Sequence, residues 1–395
     1  MFRSIFLALG FCCIMISSCS KKDSDSSGNP PNTQIDIAKV DGQIDAFMTT
    51  YNIPGASVAV TKNGKLVYRK GLGFSDKATS TKVTVNDRFR LASVSKTYTG
   101  AAIMKLIQEG KISLDQKVFY GTGAILYPTY QSSQSQYLGA ITVKHLLQHT
   151  TGMWGAANGG DPIDANPAMS NTDFFNWVLA NKALVNTPGT KYSYSNMNYF
   201  ALGRIIEKIS GKSYINYIKE DLLATIGPHT TDITGKTEAE RKSNEVKYYG
   251  QGGLTNYVYN IAYPRRDADG GLIATATDLL RFITAIDGQP TRPDILNSST
   301  FTLFTTPSGA APLDPNYACG IAVWNNQLYH YGMLPGTRTG YFRSADGTTC
   351  LAVLFNSAVD YTNASLVTPF EQSMQNMMLS ILNDKTINWQ DIDQF

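Results

Sequence analysis

Ser93 and Lys96 stand three residues apart in the stretch "LASVSKTYTG". A serine hydroxyl becomes a competent nucleophile only when a neighbouring base takes its proton, and an amine one helical turn away can do so. The same spacing recurs at Ser18 and Lys21, and about one such pair is expected by chance in a chain of ordinary composition. Context separates the two. Ser93 opens an apolar helical pattern that runs to Gly110, which places it in the first turn with Lys96 on the same face. Free backbone N–H groups at a helix start would also steady negative charge developing on a substrate oxygen. A serine cap followed by a solvated lysine explains the spacing equally well, so more elements are required.

Tyr-x-Asn occurs at Tyr194–Asn196, Tyr214–Asn216 and Tyr361–Asn363. Tyr194 follows the turn "NTPGT" and precedes the helical run "MNYFALGRIIEKISG", so it sits on a loop entering a helix. Tyr214 falls inside a helical pattern and Tyr361 in a terminal loop. A third element, His330-Tyr331-Gly332, lies in a strand-like run, where glycine permits close backbone approach.

In this order the elements resemble the serine β-lactamase and penicillin-binding-protein superfamily, in its class C-like branch with D-alanyl-D-alanine carboxypeptidases and related esterases. The resemblance covers about residues 36 to 385 and includes "LLQHTTGM", "PGTKYSYSNMNYFALGRIIEKISG" and "GGLIATATDLLRF". It implies that Ser93 is acylated, with Lys96 beside it and Tyr194 sharing proton transfer as general base and then acid. Either the Lys96 charge depresses the Tyr194 pKa or Lys96 is itself deprotonated; both stay open at this level. Asn196 would orient the substrate amide, and His330 takes the third motif's first position. Gly332 would let the strand dock the substrate, and the backbone N–H groups of Ser93 and Met333 would form the oxyanion hole.

Met333-Leu334 stands where many relatives carry another glycine, which predicts a bulkier strand edge and a restriction on substrate size. An unperturbed histidine is mostly neutral near pH 7, so His330 recognises a carboxylate less well than a lysine would. The resemblance therefore implies a cofactor-free serine hydrolase of small peptides or esters, carboxypeptidase-like, with β-lactams as an alternative. A catalytically inactive peptide- or protein-binding lipoprotein is the reading from another class. His145 and His149, four apart, could face one zinc ion, but Leu146 replaces the glutamate of a zincin motif and no third ligand is evident. A structural hydrogen bond is the simpler role for His149, and no metal site is expected. No Gly-x-Ser-x-Gly elbow is present, which disfavours a Ser-His-Asp hydrolase.

The elements that must position these residues follow from periodicity. Apolar residues at Ile35, Ile37, Val40, Ile44 and Phe47 predict an opening helix, and Asn63-Gly64 joins two β-rich runs in the strongest hairpin signal. "YACGIAVW", "QLYHYG", "TGYFRSADG" and "TTCLAVLFN" read as further strands, followed by a helical "VTPFEQSMQNMMLSILND". The expected fold is α+β: an antiparallel sheet from both chain ends (35–98 plus 265–386), flanked by terminal helices, with a helical subdomain (99–264) inserted. The cleft would form where the two meet.

Composition sets the remaining bounds. The 395 residues are 43% hydrophobic and 16% charged, with a formal net charge of +3, enough for one large core or two coupled subdomains. No basic run exceeds two residues, so nucleic acid is not an expected partner. Arg3, the apolar "IFLALGFCCIMI" and the small "SSCS" have the layout of an export signal over 1–18,. Ile16–Cys19 resembles a bacterial lipobox, which implies acylation of Cys19, a polar tether over 19–34 and an exported lipoprotein of the bacterial envelope, periplasmic or at the outer-membrane surface. A plain cleaved signal is the alternative. Cys319 and Cys350 lie in strand-like runs, where a disulfide or two buried thiols are both open.

Overall fold

In the computed structural model, residues 34–395 are described apart from 128–134, 156–159, 262 and 310. The expected export signal, Cys19 and nearly all of the tether lie outside the described residues.

Asn63 and Gly64 both take positive φ (49° and 75°), the backbone of a two-residue hairpin turn. They join β1 (Gly55–Lys62) to β2 (Lys65–Asp76). A short β3 (Thr81–Lys82) adds an edge. From the far end of the chain come β7 (Ala322–Trp324), β8 (Gln327–Leu334), β9 (Thr337–Arg343) and β10 (Thr349–Phe355). The strands form one seven-stranded sheet in the order β3-β2-β1-β10-β9-β8-β7, with antiparallel pairing throughout. β1 and β10, from opposite chain ends, pair at its centre, with Val58 opposite Val353.

Side chains alternate across the sheet as a two-residue period requires. Val58, Val60, Leu351 and Val353 pack beneath α1 (Ala38–Thr50) and α5 (Ala364–Asn383), with Phe47, Phe370 and Met374. On the other face Ala59, Ala352 and Leu354 join a larger core, against which α4 (Ala276–Ile283) lies on β1 and β10. Along the chain, between the two groups of strands, come α2 (Ser95–Gln108) and α3 (Asn196–Ser210). Gly211 closes α3 in the left-handed region at φ 72°, as a helix C-terminus favours.

A second sheet was not anticipated. β4 (Phe89–Arg90) and β5 (Asp232–Ile233) flank β6 (Leu272–Ala274). Strands of two or three residues are too short for a periodic signal. They matter because β4 leads directly to Ser93 and β6 follows directly from Asp269, and Arg90 pairs with Ile273 across them.

The strand expected over "YACGIAVW" is confined to Ala322–Trp324. Cys319 and Gly320 instead form a bend seated on α2, where the Gly320 position leaves no room for a Cβ beside the Lys96 carbonyl. Cys319 and Cys350 are both buried and unpaired, and burial pushes each thiol up to about 12,. They are inert packing residues.

Candidate active site

Ser93 lies on a 3-10 turn (Ala92–Val94) that runs into α2. Ala92, immediately before it, takes φ 47°, a left-handed conformation that a non-glycine residue holds only when its surroundings impose it. Here the imposition is visible. Leu91 N–H donates to Leu272 O at 2.8 Å, and Thr339 Oγ1 donates to Leu91 O at 2.7 Å. α2 is buried nearly all round, with Ser95, Thr97, Thr99, Gly100, Ala101 and Ala102 among its buried residues. Small side chains let it be clasped closely: a Cβ on Gly100 would fall on the Cys319 carbonyl.

Lys96 is 0% exposed. Its Nζ lies 3.1 Å from Ser93 Oγ, 2.7 Å from Asn196 Oδ1 and 2.8 Å from the Asp269 carbonyl oxygen. Burial brings its pKa down to about 7, against the attraction of Asp269,. A neutral amine has two N–H donors and one lone pair. The two shorter contacts are acceptors that take the donors, which leaves the lone pair for the Ser93 hydroxyl.

Tyr194 shares a hydrogen bond with the Ser93 side chain, and its ring centroid is 4.9 Å from Lys96 Nζ. Burial pushes the phenol well above its ordinary range, only partly opposed by that hydrogen bond. Of the two proton-transfer options left open by sequence, burial therefore disfavours tyrosinate and favours the neutral lysine. Asn196 begins α3, and its backbone N–H donates to Asp161 Oδ2. Burial raises the Asp161 carboxyl to about 6.

His149 is fully buried, with its ring centroid 4.3 Å from that of Tyr194. Its Nδ1 receives Ser195 N–H at 3.2 Å and Asn198 Nδ2 at 3.2 Å, which places the proton on Nε2. His145 Nδ1 receives Thr142 N–H at 3.2 Å, closing a capping box. His145 thus spends a nitrogen on its own helix start, and His149 spends one on the start of α3. Among the described residues no group of three His, Cys, Asp or Glu could hold a metal ion.

β8 completes the site. His330, Gly332 and Leu334 face the Ser93 turn, whereas Tyr329, Tyr331 and Met333 face the core beneath the terminal helices. The expected crowding is thereby corrected: the Met333 side chain points away, and only its backbone adjoins the turn. Leu334 does close one end, packed with Ala92 and Tyr263. Gly332 also has a different role from close substrate approach. A Cβ there would fall on Leu91 O and lie 2.6 Å from Thr339 Oγ1 and 2.9 Å from Ala92 Cβ, so the glycine seats the turn that carries Ser93. His330 Nδ1 donates to Tyr331 O at 2.7 Å, and Nε2 accepts from Tyr317 OH at 3.2 Å. Burial and the nearby Lys96 lower its pKa to about 3.

The structure thus brings Ser93, Lys96, Tyr194 and Asn196 into one connected cluster, with His330 and Gly332 on the strand beside it. Sequence reasoning missed Asp161, Arg266, Asp269 and Tyr317. Arg266 and Asp269 stand three apart just before Gly270-Gly271, a spacing too common to single out.

A family model described as Beta-lactamase matches residues 40–371. The chain is 29% identical over 240 residues to Protein flp of Staphylococcus aureus (strain NCTC 8325 / PS 47), covering 61% of this chain and 46% of that protein. It therefore spans about half the length of that curated relative. Among solved structures, the octameric penicillin-binding protein homologue from Pyrococcus abyssi superposes with TM-score 0.67 at 25% identity, covering 82% of this chain and 74% of that one. D-amino acid amidase from Ochrobactrum anthropi SV3 shares the fold, with TM-score 0.70 at 18% identity over 88% of this chain and 99% of that one. With the family model spanning most of the described fold, the chain belongs to the Beta-lactamase family.

Proposed function

We propose that this protein is a serine hydrolase that works through an acyl-enzyme, cleaving an amide or ester of D-amino-acid or peptidoglycan-peptide type, or a simple ester. The observation that carries this reading is the Lys96 amine, sealed from water and 3.1 Å from Ser93 Oγ. In acylation, Lys96 takes the Ser93 proton as Oγ attacks the carbonyl carbon, and the carbonyl electrons move to oxygen. The backbone N–H groups of Ser93 and Met333 would receive that oxyanion. As the tetrahedral centre collapses, the leaving nitrogen or oxygen departs with a proton from Tyr194, which Lys96 restores. Water then attacks the ester, giving its proton back through the same pair, and Ser93 is regenerated.

His330 bears on the choice of substrate through what it does not offer. Neutral, and with both nitrogens engaged, it offers a substrate carboxylate neither charge nor a free donor. This supports esters and uncharged amides over β-lactams, and by the same reasoning over peptides cut beside a free C-terminal carboxylate, since both carboxylates need a partner. The anchoring reading of Cys19 is likewise a proposal, testable by radiolabelled palmitate in the expressing bacterium with Cys19→Ala alongside.

Intact-protein mass spectrometry after a fluorophosphonate and, separately, a penicillin tests the hydrolase reading. A phosphonate adduct absent from Ser93→Ala is expected. A lasting penicilloyl adduct would identify a penicillin-binding peptidase, and rapid adduct loss with hydrolysed drug a β-lactamase. Folded protein with no adduct from either reagent would sink the assignment and leave the binding lipoprotein.

A further inference from the structure

Lys96 is enclosed by charged and polar groups from every element around it. Its own turn contributes Ser93. The Tyr194–Asn196 segment and α3 contribute Asn196 Oδ1 and the rings of Tyr194 and Tyr199, 4.9 and 5.7 Å from Nζ. Asp161 acts on it from the residue that caps the Pro162–Asp164 turn, and Asp269 and Arg266 from the turn preceding β6. Nearby stand the imidazoles of His149, behind the Tyr194 and Tyr199 rings, and His330 on β8, both kept neutral by burial.

Two of these groups form a unit. Asp269 is 0% exposed, and its backbone carbonyl receives Lys96 Nζ at 2.8 Å. Its carboxylate accepts from Arg266 Nε at 3.0 Å and Nη2 at 2.7 Å. Arg266 is itself buried, and its Nη1 reaches Asp164 at 3.1 Å. The other Asp269 oxygen, Oδ1, has no hydrogen-bond partner among the described residues. A buried ion pair with an orphaned oxygen is a poor way to gain stability, since desolvation offsets the attraction. Placed on the very residue whose carbonyl holds the amine, it has another use.

We infer that the Arg266–Asp269 ion pair is a positioning and charge-balancing unit for Lys96: it fixes the carbonyl that holds the amine on Ser93 and neutralises a carboxylate that would otherwise lock that amine as an ammonium. The inference rests on Lys96 being the base in the proposed hydrolysis. Its logic is electrostatic and has a sign. Removing the Arg266 charge leaves the Asp269 carboxylate uncompensated beside Lys96, which favours the inactive ammonium and moves the acid limb of acylation to higher pH. Removing the Asp269 charge leaves Arg266 facing the amine, which favours the free base and moves the limb to lower pH. Both substitutions alter side chains alone and retain the residue 269 backbone carbonyl as an acceptor group.

The test is the rate of Ser93 phosphonylation as a function of pH, followed by intact mass in wild type, Arg266→Gln, Asp269→Asn and the double variant. The expected result is an acid limb about one pH unit higher in Arg266→Gln, about tenfold in rate at a fixed pH below the limb. A shift in the opposite sense is expected in Asp269→Asn, with the double variant near wild type. A general loosening of the turn would lower all rates without moving the limbs apart. Limbs that stay together, or move the same way, overturn the inference. Arg266→Lys, which keeps the charge, should return the limb to its wild-type place. If Arg266→Gln does not fold, Asp269→Asn alone decides the matter by the direction of its shift. Wild-type labelling that survives in Ser93→Ala would instead count against the hydrolase reading itself, so the two failures are distinguishable.

Discussion

The carbonyl oxygen of Leu91 occupies the space that any side chain on residue 332 would need. Strand β8 can therefore lie directly against the turn carrying Ser93 only because Gly332 has no Cβ. Thr339 Oγ1, on the neighbouring strand, donates to that same Leu91 oxygen at 2.7 Å. The strained φ at Ala92 and the seating of the Ser93 turn against β8 both rest on this contact.

Gly332→Ala should consequently push β8 off the turn. Overpacking of a well-filled site typically costs about 1–3 kcal/mol. Thermal and urea melts are expected to register a loss of that order. The phosphonylation rate should fall by more than tenfold, since an ångström of misplacement at a reacting centre costs about a hundredfold. Wild-type stability and labelling in this variant would show that the close contact is dispensable.

Acylation by the wild-type protein should rise with pH through about 7, where burial places the Lys96 amine. The sign follows from the ammonium being inactive: below the limb each pH unit removes about tenfold of the free base, so the rate at pH 5 should be about a hundredfold below its plateau. Were tyrosinate the base, the limb would lie above pH 10, because burial pushes Tyr194 upward. Lys96→Arg, which is permanently charged, should lose about 10²–10⁴-fold at every pH. A pH-independent rate from 5 to 9 would remove Lys96 from the role of base.

His149 holds the backbone N–H of Ser195 and lies against the Tyr194 ring. It is a positioning residue for that tyrosine. His149→Leu leaves a buried N–H without an acceptor, a loss of about 1–3 kcal/mol, and should lower kcat for ester hydrolysis more than it raises KM. His149→Asn presents an oxygen where Nδ1 stood and is expected to restore much of kcat. Equal kcat in the two variants would assign His149 to packing alone.

Much of this site was legible in local sequence because its signals are local. Ser93 and Lys96 are joined by one helical turn, Tyr194 and Asn196 by a helix entrance, and the Asn63-Gly64 hairpin by two residues. Periodicity likewise marked β8–β10 and the terminal helix, whose buried faces repeat every two or every three to four residues. The two-residue strands β4 and β5 carry no such period. The strand read over Cys319 was misjudged because its apolar residues serve a bend packed on α2.

What the sequence alone determined was the inventory: a serine, a lysine, a tyrosine and a strand glycine in an order that resembles one family, on elements able to carry them. Tertiary structure alone decided their chemistry. The proton affinity of Lys96 depends on its exclusion from water and on Asn196, Asp269 and Arg266, which lie 100 to 173 residues away along the chain. The idle imidazole of His330, the Met333 side chain turned to the opposite face of the sheet and the seat beneath Gly332 are consequences of packing between distant segments. Desolvation and contact act through space, and a one-dimensional pattern records neither.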